Sequence, residues 1–529
     1  MAAFEPPFPL NEASRRRGQD PQEVEALFGR LLSYIYHALP DPPVSAYGDL
    51  CILFDADGGG VDRLSLLPDS LLANIVSRLP VKDAARTAVL SRRWRPVWRA
   101  APLVLLDTHL LPGPDADYPD AIPTHLDRAR SAAVAAAVSR VLAAHPGPFR
   151  CVRLACCYMD EHRAQFERWL RLLARKGVQE LFLINRPWPL EIRSPIPATL
   201  FGMPDLTCLY LSFCVLPDTA GLPRGAAFPR LRQLGLCALA VRARELEFFL
   251  SRSPVLDVLC FEGLVAPLRL RLVSHSLRCL QVHACKLDRI AVVDAPRLER
   301  LFLHTHPSEG RKNIVKIGDA PALRLFGQFA MENDELQVGN TIIKAGTVAN
   351  PSAMVPAVKT LDVEVRFGVR GDAKMLPSFL RCFPNVERLH IHSKKTTEST
   401  GRISIKFWQE SGAIKCAPSR ITTMAFHDFH GDRNEVSFLK FVIESAPMLR
   451  TLMIVYANGC FGSRDEATSK AKGLFAGKRA TEPCMLVVCE SEYAEGGGLW
   501  DFEKGSDFSC NDPFGYVVCS SFGVRRWSV

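Results

Sequence analysis

LSLLPDSLLANIVSRLPVKDAARTAVLSRRWRPVW, residues Leu64 to Trp98, reads as three short helices in succession. Pro68 suits the first turn of a helix, where a missing N–H costs nothing, and Asp69 adds negative charge at the positive end of the helix dipole. Leu71, Leu72, Ile75 and Leu79 follow on one apolar face until Pro80 stops the run. Asp83 is placed to cap a second helix, AARTAVL, and Ser91 a third, RRWRPVW, in which Trp94 and Trp98 stand four residues apart on one side. Pro96 falls inside this third helix, removes the hydrogen bond to the carbonyl of Arg92 and predicts a kink costing up to about 3 kcal/mol. A unit of 35 residues is too small to bury all these apolar side chains in a core of its own, so some must face another surface.

LPDSLLANIVSRLP followed by DAARTAVLSRRWRPVW closely resembles the F-box, with the Leu-Pro start, the Leu-Pro between helices, the Asp and the Trp-x-x-x-Trp in order. The resemblance implies docking onto a Skp-type adaptor, and through it a link to a cullin and a RING protein in a ubiquitin ligase. It carries over Leu67, Pro68, Leu71, Leu72 and Ile75 as first-helix contacts, and Leu79, Val81, Leu90, Trp94 and Trp98 as later apolar positions, some of them internal. At about 1.5 to 3 kcal/mol for each fully buried large apolar side chain, four or five such contacts supply useful affinity once association costs are met. The competing reading is a helical piece of an ordinary core.

Upstream, residues 1–20 read as a disordered tail. Val24, Leu27, Phe28, Leu31, Leu32 and Ile35 then predict an amphipathic helix over Pro21–Leu39 with Asp20 as its cap, either covering an F-box face or self-associating. A linker containing the strand-like LCILF and ending in ADGGG fills the rest of 21–60, and the F-box takes 62–102. Within 103–148, the turn-rich LPGPDADYPDAIP leads to an Ala-rich helix from Ala129 to Ala143, suited to capping the open end of a stacked domain.

From residue 178 the chain repeats. VQELFL starts at Val178, LTCLYL at Leu206, LRQLGL at Leu231, LDVLCF at Leu256, LRCLQV at Leu277 and LERLFL at Leu298, in steps of 28, 25, 25, 21 and 21. Weaker copies start at Leu323, Val358, Val386, Ile421 and Leu449, and a proline stands shortly before many of them. Such Leu-x-x-Leu-x-Leu spacing marks leucine-rich repeats, in which a short strand and its return bury one side each against their neighbours. The predicted fold class is therefore α/β: an N-terminal three-helix F-box followed by an irregular leucine-rich-repeat solenoid over 149–415. The segment from Cys416 to Ile454, CAPSRITTMAFHDFHGDRNEVSFLKFVIESAPMLRTLMI, resembles the FBD region of plant F-box and leucine-rich-repeat proteins, giving an FBD-like end at 416–456. The extension 457–529 holds a possible helix, SRDEATSKAKGLFA, and strand, CMLVVC, but from Glu490 no period emerges.

Composition bounds the function. A chain of 529 residues, 48% hydrophobic, buries a large core, and a formal charge of +9, small for this length and with its densest basic cluster at Arg92, Arg93, Arg95 and Arg99 inside the helical unit, does not favour a nucleic-acid partner. Seventeen cysteines, many in apolar strand-like runs, predict reduced, buried thiols. The opening residues lack the pattern of a signal peptide and no apolar run reaches membrane length, so no membrane partner and a nuclear or cytoplasmic location are expected.

Reaction chemistry is absent from the motifs. The histidine pairs His304/His306, His390/His392 and His427/His430 read as exposed strand-end residues rather than metal sites, and no cofactor or catalytic residue is assigned. GLFAGKRA from Gly473 has the wrong glycine spacing, and Arg479 in place of Ser or Thr, for a phosphate loop. A binding surface remains. With Leu181 and Leu183 pointing into the core, alternation puts Phe182, Tyr210, Arg300, Phe302, Arg388 and His390 on the inner curved face, where aromatic and arginine side chains make good anchors unless loops cover them. The function expected is a non-catalytic substrate receptor of a Skp–cullin–F-box ubiquitin ligase, with the F-box on the adaptor and the repeats on an unidentified target protein. The alternative is a binding scaffold outside a ligase, its F-box weakened by Pro96 or hidden by the 21–39 helix. A small-molecule receptor has no supporting residue cluster.

Overall fold

The computed structural model describes residues 18, 20–45, 64–112, 122–187, 195–223, 225–306, 312–347, 351–396, 400–410, 420–475, 484–491, 500–515 and 525–528. Nearly all of the expected tail, the LCILF strand with ADGGG, and most of the turn-rich segment before Thr124 lie outside the described residues. The chain divides into two compact units, Met1–Leu256 and Asp257–Val529.

Unit 1 opens with α1 (Pro21–Ala38), capped by the Asp20 carboxylate, which accepts from the Gln22 N–H at 2.9 Å. Val24, Phe28, Leu32 and Ile35 are buried, but Leu27 and Leu31 stay 43% and 40% exposed, so the apolar stripe is narrower than its leucine content indicates. Phe28 packs edge-on against Phe213 at 5.1 Å, which places α1 on the repeats.

The helical unit follows as α2 (Asp69–Val76), α3 (Val81–Thr87) and α4 (Trp94–Ala100). Two expectations change here. Asp83 is not the cap of α3 but lies in its first turn, where it pairs with Arg86 at 2.7 Å. Likewise α4 begins at Trp94 rather than after Ser91, so Pro96 sits in its first turn; the N–H it lacks would have had no partner within the helix, and the predicted kink and its cost disappear.

From α4 the chain enters β1 (Leu103–Leu106) and turns through Asp107–Leu110. It continues as α5 (Arg128–Ala144), β2 (Phe149–Leu154), α6 (Arg163–Arg175), β3 (Glu180–Ile184), β4 (Cys208–Ser212), β5 (Gln233–Cys237) and α7 (Ala243–Arg252). β1 to β5 pair in parallel in sequence order. The junction between helices and strands is closed by His145. Its Nε2 lies 3.1 Å from the Ala101 carbonyl, and its ring is sandwiched edge-on between Trp98 and Phe149, each at 5.2 Å. Leu103 donates to the Pro148 carbonyl at 3.1 Å, and Pro80 bridges Val104.

Unit 2 contains β6 (Val258–Glu262), β7 (Leu268–Val273), β8 (Cys279–Asp294), β9 (Arg300–His306), β10 (Asn313–Asp319), β11 (Leu325–Ala330), β12 (Asp334–Val338), β13 (Thr341–Ile342) and β14 (Thr360–Val365). Then come α8 (Arg370–Leu380), β15 (Arg388–Ser393), α9 (Ile405–Glu410), β16 (Thr423–Phe429), α10 (Arg433–Ser445), β17 (Thr451–Tyr456), α11 (Arg464–Lys472), β18 (Met485–Glu490), α12 (Phe502–Ser506) and β19 (Arg525–Ser528). The inner ladder is parallel in the order β6, β8, β9, β11, β14, β15, β16, β17, β18, with β19 antiparallel at its edge.

All eleven leucine motifs become strands, each starting two residues after the motif's first apolar residue: Val178 leads to Glu180, Leu298 to Arg300, Leu449 to Thr451. At four of them a preceding proline sets the turn. Pro204, Pro229, Pro296 and Pro447 each occupy the second position of a turn whose fourth residue, the first leucine of the motif, donates back at 3.4, 3.3, 3.0 and 3.2 Å respectively. Between β6 and β14 the returns hold strands of a second sheet: β7, the second half of β8, β10, β12 and β13. β8 belongs to both sheets, bending at Ala284, whose φ is +48°. The returns after β14, β15 and β16 hold α8, α9 and α10.

Candidate functional site

Two surfaces carry the sequence candidates. On the helical unit, Leu72, Val81 and Trp94 are 0%, 4% and 8% exposed and form its interior with Val76, Ala84 and Val97. They hold the helices together and do not face a partner. Leu67, Ile75, Leu79 and Trp98 are half-buried, while Pro68, Leu71 and Leu90 are exposed. Sequence reasoning omitted Leu66 and Val89, the most exposed large apolar residues of the unit at 76% and 82%. Both fall off the periodic face, and that mismatch with the local helix was their signal. Leu64, Leu66, Leu71, Val89 and Leu90 all lie between residues 64 and 90 and are all exposed, a concentration of solvent-facing apolar side chains in one small helical unit. Arg93 fixes the unit by donating to the Asp69 carboxylate at 2.8 Å and to the Leu67 carbonyl, tying the start of α4 to that of α2.

The sequence left open whether loops cover the inner strand face, and in both units the chain itself covers the candidate anchors. In unit 1, Phe182 and Tyr210 stack nearly parallel, with centroids 5.0 Å apart, and are almost fully buried. The Arg153 guanidinium lies over Phe182 at 4.2 Å and toward Tyr36 of α1 at 5.6 Å, and donates to the Pro40 carbonyl at 2.7 Å. The stack Tyr36–Arg153–Phe182–Tyr210 thus closes this face, removing Phe182 and Tyr210 from the set of solvent-facing anchors.

In unit 2 the cover is residues 500–515. Trp500 packs on Phe302 at 4.7 Å and donates through Nε1 to Gln281 Oε1 at 2.9 Å, while Gln281 Nε2 donates to the Phe502 carbonyl at 2.9 Å. Arg300 donates to the carbonyls of Gly505 and Cys510 at 2.9 and 2.6 Å. Phe508 lies under Arg278 at 3.7 Å. Phe514 rests on Gly327, where a Cβ would come within 2.0 Å of its ring, and Asp512 reaches His390 Nε2 at about 3 Å. Arg300, Phe302 and His390 are therefore buried, and Arg388 is half-buried.

The expectation of exposed strand-end histidines fails at the next ladder positions. Parallel register brings His390, His392 and His427 together, with His390 and His427 each 2% exposed. Burial opposes charge on His392, but Asp362 at 3.0 Å and Asp428 at 3.6 Å outweigh it and raise its pKa to about 10. His427, buried beside the other two histidines, is pushed well below the usual imidazole range. Among the described residues no group of three or more His, Cys, Asp or Glu is placed to hold a metal ion. The described cysteines are mostly buried, with burial raising the Cys279, Cys285 and Cys382 thiols to about 12, too high for a nucleophile at neutral pH. No described helix is long and apolar enough to cross a membrane.

Comparison with known families joins these parts. The F-box domain model matches residues 64–104, the model for the LRR repeats of FBD-associated F-box protein At5g56370 matches 166–391, and the FBD model matches 409–454. The chain is an F-box, leucine-rich-repeat and FBD protein. Similar relatives include the F-box/FBD/LRR-repeat protein At1g13570 of Arabidopsis thaliana, 26% identical over 414 residues covering 75% of this chain and 92% of the relative. The MEIOTIC F-BOX protein MOF of Oryza sativa subsp. japonica is 26% identical over 408 residues, covering 68% of this chain and 78% of the relative. The F-box match ends at Val104, the residue bridged by Pro80, so the module includes the entry to β1. The FBD match covers β16, α10 and most of β17, organised around Glu435, which accepts the N–H of Asp432 at 2.9 Å and of His430 at 3.1 Å to close the first turn of α10.

Proposed function

We propose that this chain is the target-recognition subunit of a Skp–cullin–F-box ubiquitin ligase. The observation that carries the reading is the set of exposed apolar side chains, Leu66, Leu71, Val89 and Leu90, on an F-box whose own core is already filled by Leu72, Val76, Val81 and Trp94. Such a face loses water only against a partner, and for an F-box that partner is a Skp-type adaptor, with a cullin and a RING protein beyond it. The repeats supply protein recognition. The chain's contribution to reaction rate is proximity, because a target held near a charged conjugating enzyme presents its lysine at raised effective concentration.

Two observations favour the receptor over a scaffold reading: Pro96 costs α4 no hydrogen bond, and the contacts of Phe28 and Tyr36 of α1 with Phe213 and Arg153 run to the repeats. The test is capture of the full chain on an immobilised Skp-type adaptor, followed by assembly with cullin and RING subunits. Binding at micromolar concentration or tighter is expected. A cooperatively folded chain that is not retained refutes the assignment.

A further inference from the structure

The inner face of unit 2 already holds a peptide. WDFEKGSDFSCNDPFG, residues 500–515, crosses β8, β9, β11 and β15 by contacts characteristic of recognition rather than of a core. The hydrophobic layer of these repeats lies on the opposite side of the strands, where Leu280, Val282, Leu301 and Leu303 are fully buried. The segment instead meets the alternating residues, Gln281, Arg300, Phe302 and His390. Two of its main-chain carbonyls are gripped by one guanidinium, one carboxylate by an imidazole, and two rings by Phe302 and by the open backbone of Gly327. Main-chain carbonyls are common to every peptide, so the Arg300 fork selects for an extended or turning chain, and the aromatic seats and His390 select among sequences.

We infer that residues 500–515 are a displaceable stand-in for the target, and that the target enters this face as a linear segment of like chemistry, with aromatic side chains spaced along an acidic peptide. The inference rests on the receptor reading above and gives it a substrate class. The resident segment lowers the apparent affinity for an incoming peptide by the fraction of time it occupies the face, so only a segment that matches these seats displaces it.

The test uses the full chain in three forms: parent, Phe514→Ala and Gly327→Leu. Each is titrated by fluorescence anisotropy with a labelled synthetic peptide of residues 500–515 and, separately, with a Skp-type adaptor. Phe514→Ala weakens the resident while leaving the Gly327 seat open, so the peptide is expected to bind about tenfold tighter than to the parent, the scale set by losing ring contacts to Phe302, Trp500 and His390. Gly327→Leu fills the seat and is expected to abolish peptide capture. Equal binding by parent and Phe514→Ala, or none by either, overturns the inference and makes the segment a permanent part of the fold. Should Phe514→Ala fail to unfold cooperatively, Asp512→Ala, which removes only the partner of His390, carries the same expectation. Adaptor binding is expected to be equal in all forms. Its loss in the parent, with the peptide result as stated, refutes the receptor reading alone.

Discussion

Replacing Leu90 by aspartate separates a docking surface from a folding core. Leu90 is 65% exposed in the free chain, so its remaining two thirds is available for burial by a partner. Fully burying a leucine side chain contributes about 1.5–3 kcal/mol, which scales here to roughly 1–2 kcal/mol lost with the side chain. An aspartate pressed into the same apolar contact adds the cost of an unpaired carboxylate, on the order of 1–3 kcal/mol after partial relaxation. The sum, about 2–5 kcal/mol, corresponds to a weakening of adaptor binding of roughly 30-fold or more. Folding stability should barely move, within about 0.5 kcal/mol, because the position touches solvent in the free state. The control is Leu72→Ala, fully buried 18 residues earlier, expected to cost about 2–5 kcal/mol of folding stability. Calorimetric titration with a Skp-type adaptor and urea unfolding read the two quantities. Leu90→Asp binding like the parent, with the chain folded, refutes the argument that this exposed stretch is the docking surface.

Two further outcomes follow from the inner faces. Gly235→Ala places a Cβ within 2.0 Å of the buried Tyr210 ring, which Phe182 backs on its other side, so overpacking of about 1–3 kcal/mol should appear as a lower urea midpoint for unit 1; an unchanged midpoint would show that the stack is loose. His392→Gln probes the imidazolium between Asp362 and Asp428. Because the folded pKa of about 10 lies above the unfolded 6.5, the stabilisation is fully present below pH 6.5 and is lost as pH rises toward 10. The stability difference between parent and variant should therefore shrink by about 1 kcal/mol or more between pH 6 and pH 9.5, and a gap that stays constant with pH would show that His392 is neutral in the fold.

The strands of the repeats were legible because the motifs set leucines at fixed spacing, many of them just after a turn proline, and both constraints act within a few residues. The second sheet was not. β7, β10 and β12 are short alternating runs such as LRLRLV, whose one buried side, Leu268, Leu270 and Leu272, gives a strand period without saying which strand lies beside it. In the F-box, local caps misplaced two helix starts: Ser91 and Asp83 are good N-caps by type, but Pro80 takes the cap position before Val81 and Pro96 falls in the first turn that begins at Trp94. The occupancy of the inner face was hidden for a different reason. Alternation correctly put Arg300, Phe302 and His390 on that side, but the residues covering them lie 122 to 221 positions away and share no period with the repeats, as the His390–Asp512 and Gln281–Phe502 pairs illustrate. Gly327, reduced to a bare patch of backbone under Phe514, could be understood only once its visitor was known.

His145 has a mechanical consequence. Its ring wedges between Trp98 and Phe149, its Nε2 reaches back to Ala101, and the backbone beside it runs straight from α4 into β1. The join is therefore a bracket fastened at several points, with no swivel between the F-box and the first strands. A partner that clamps the F-box also sets the heading of β1 to β5, and any torque on one end is felt at the other. Within unit 1 the chain gives up reach in exchange for aim.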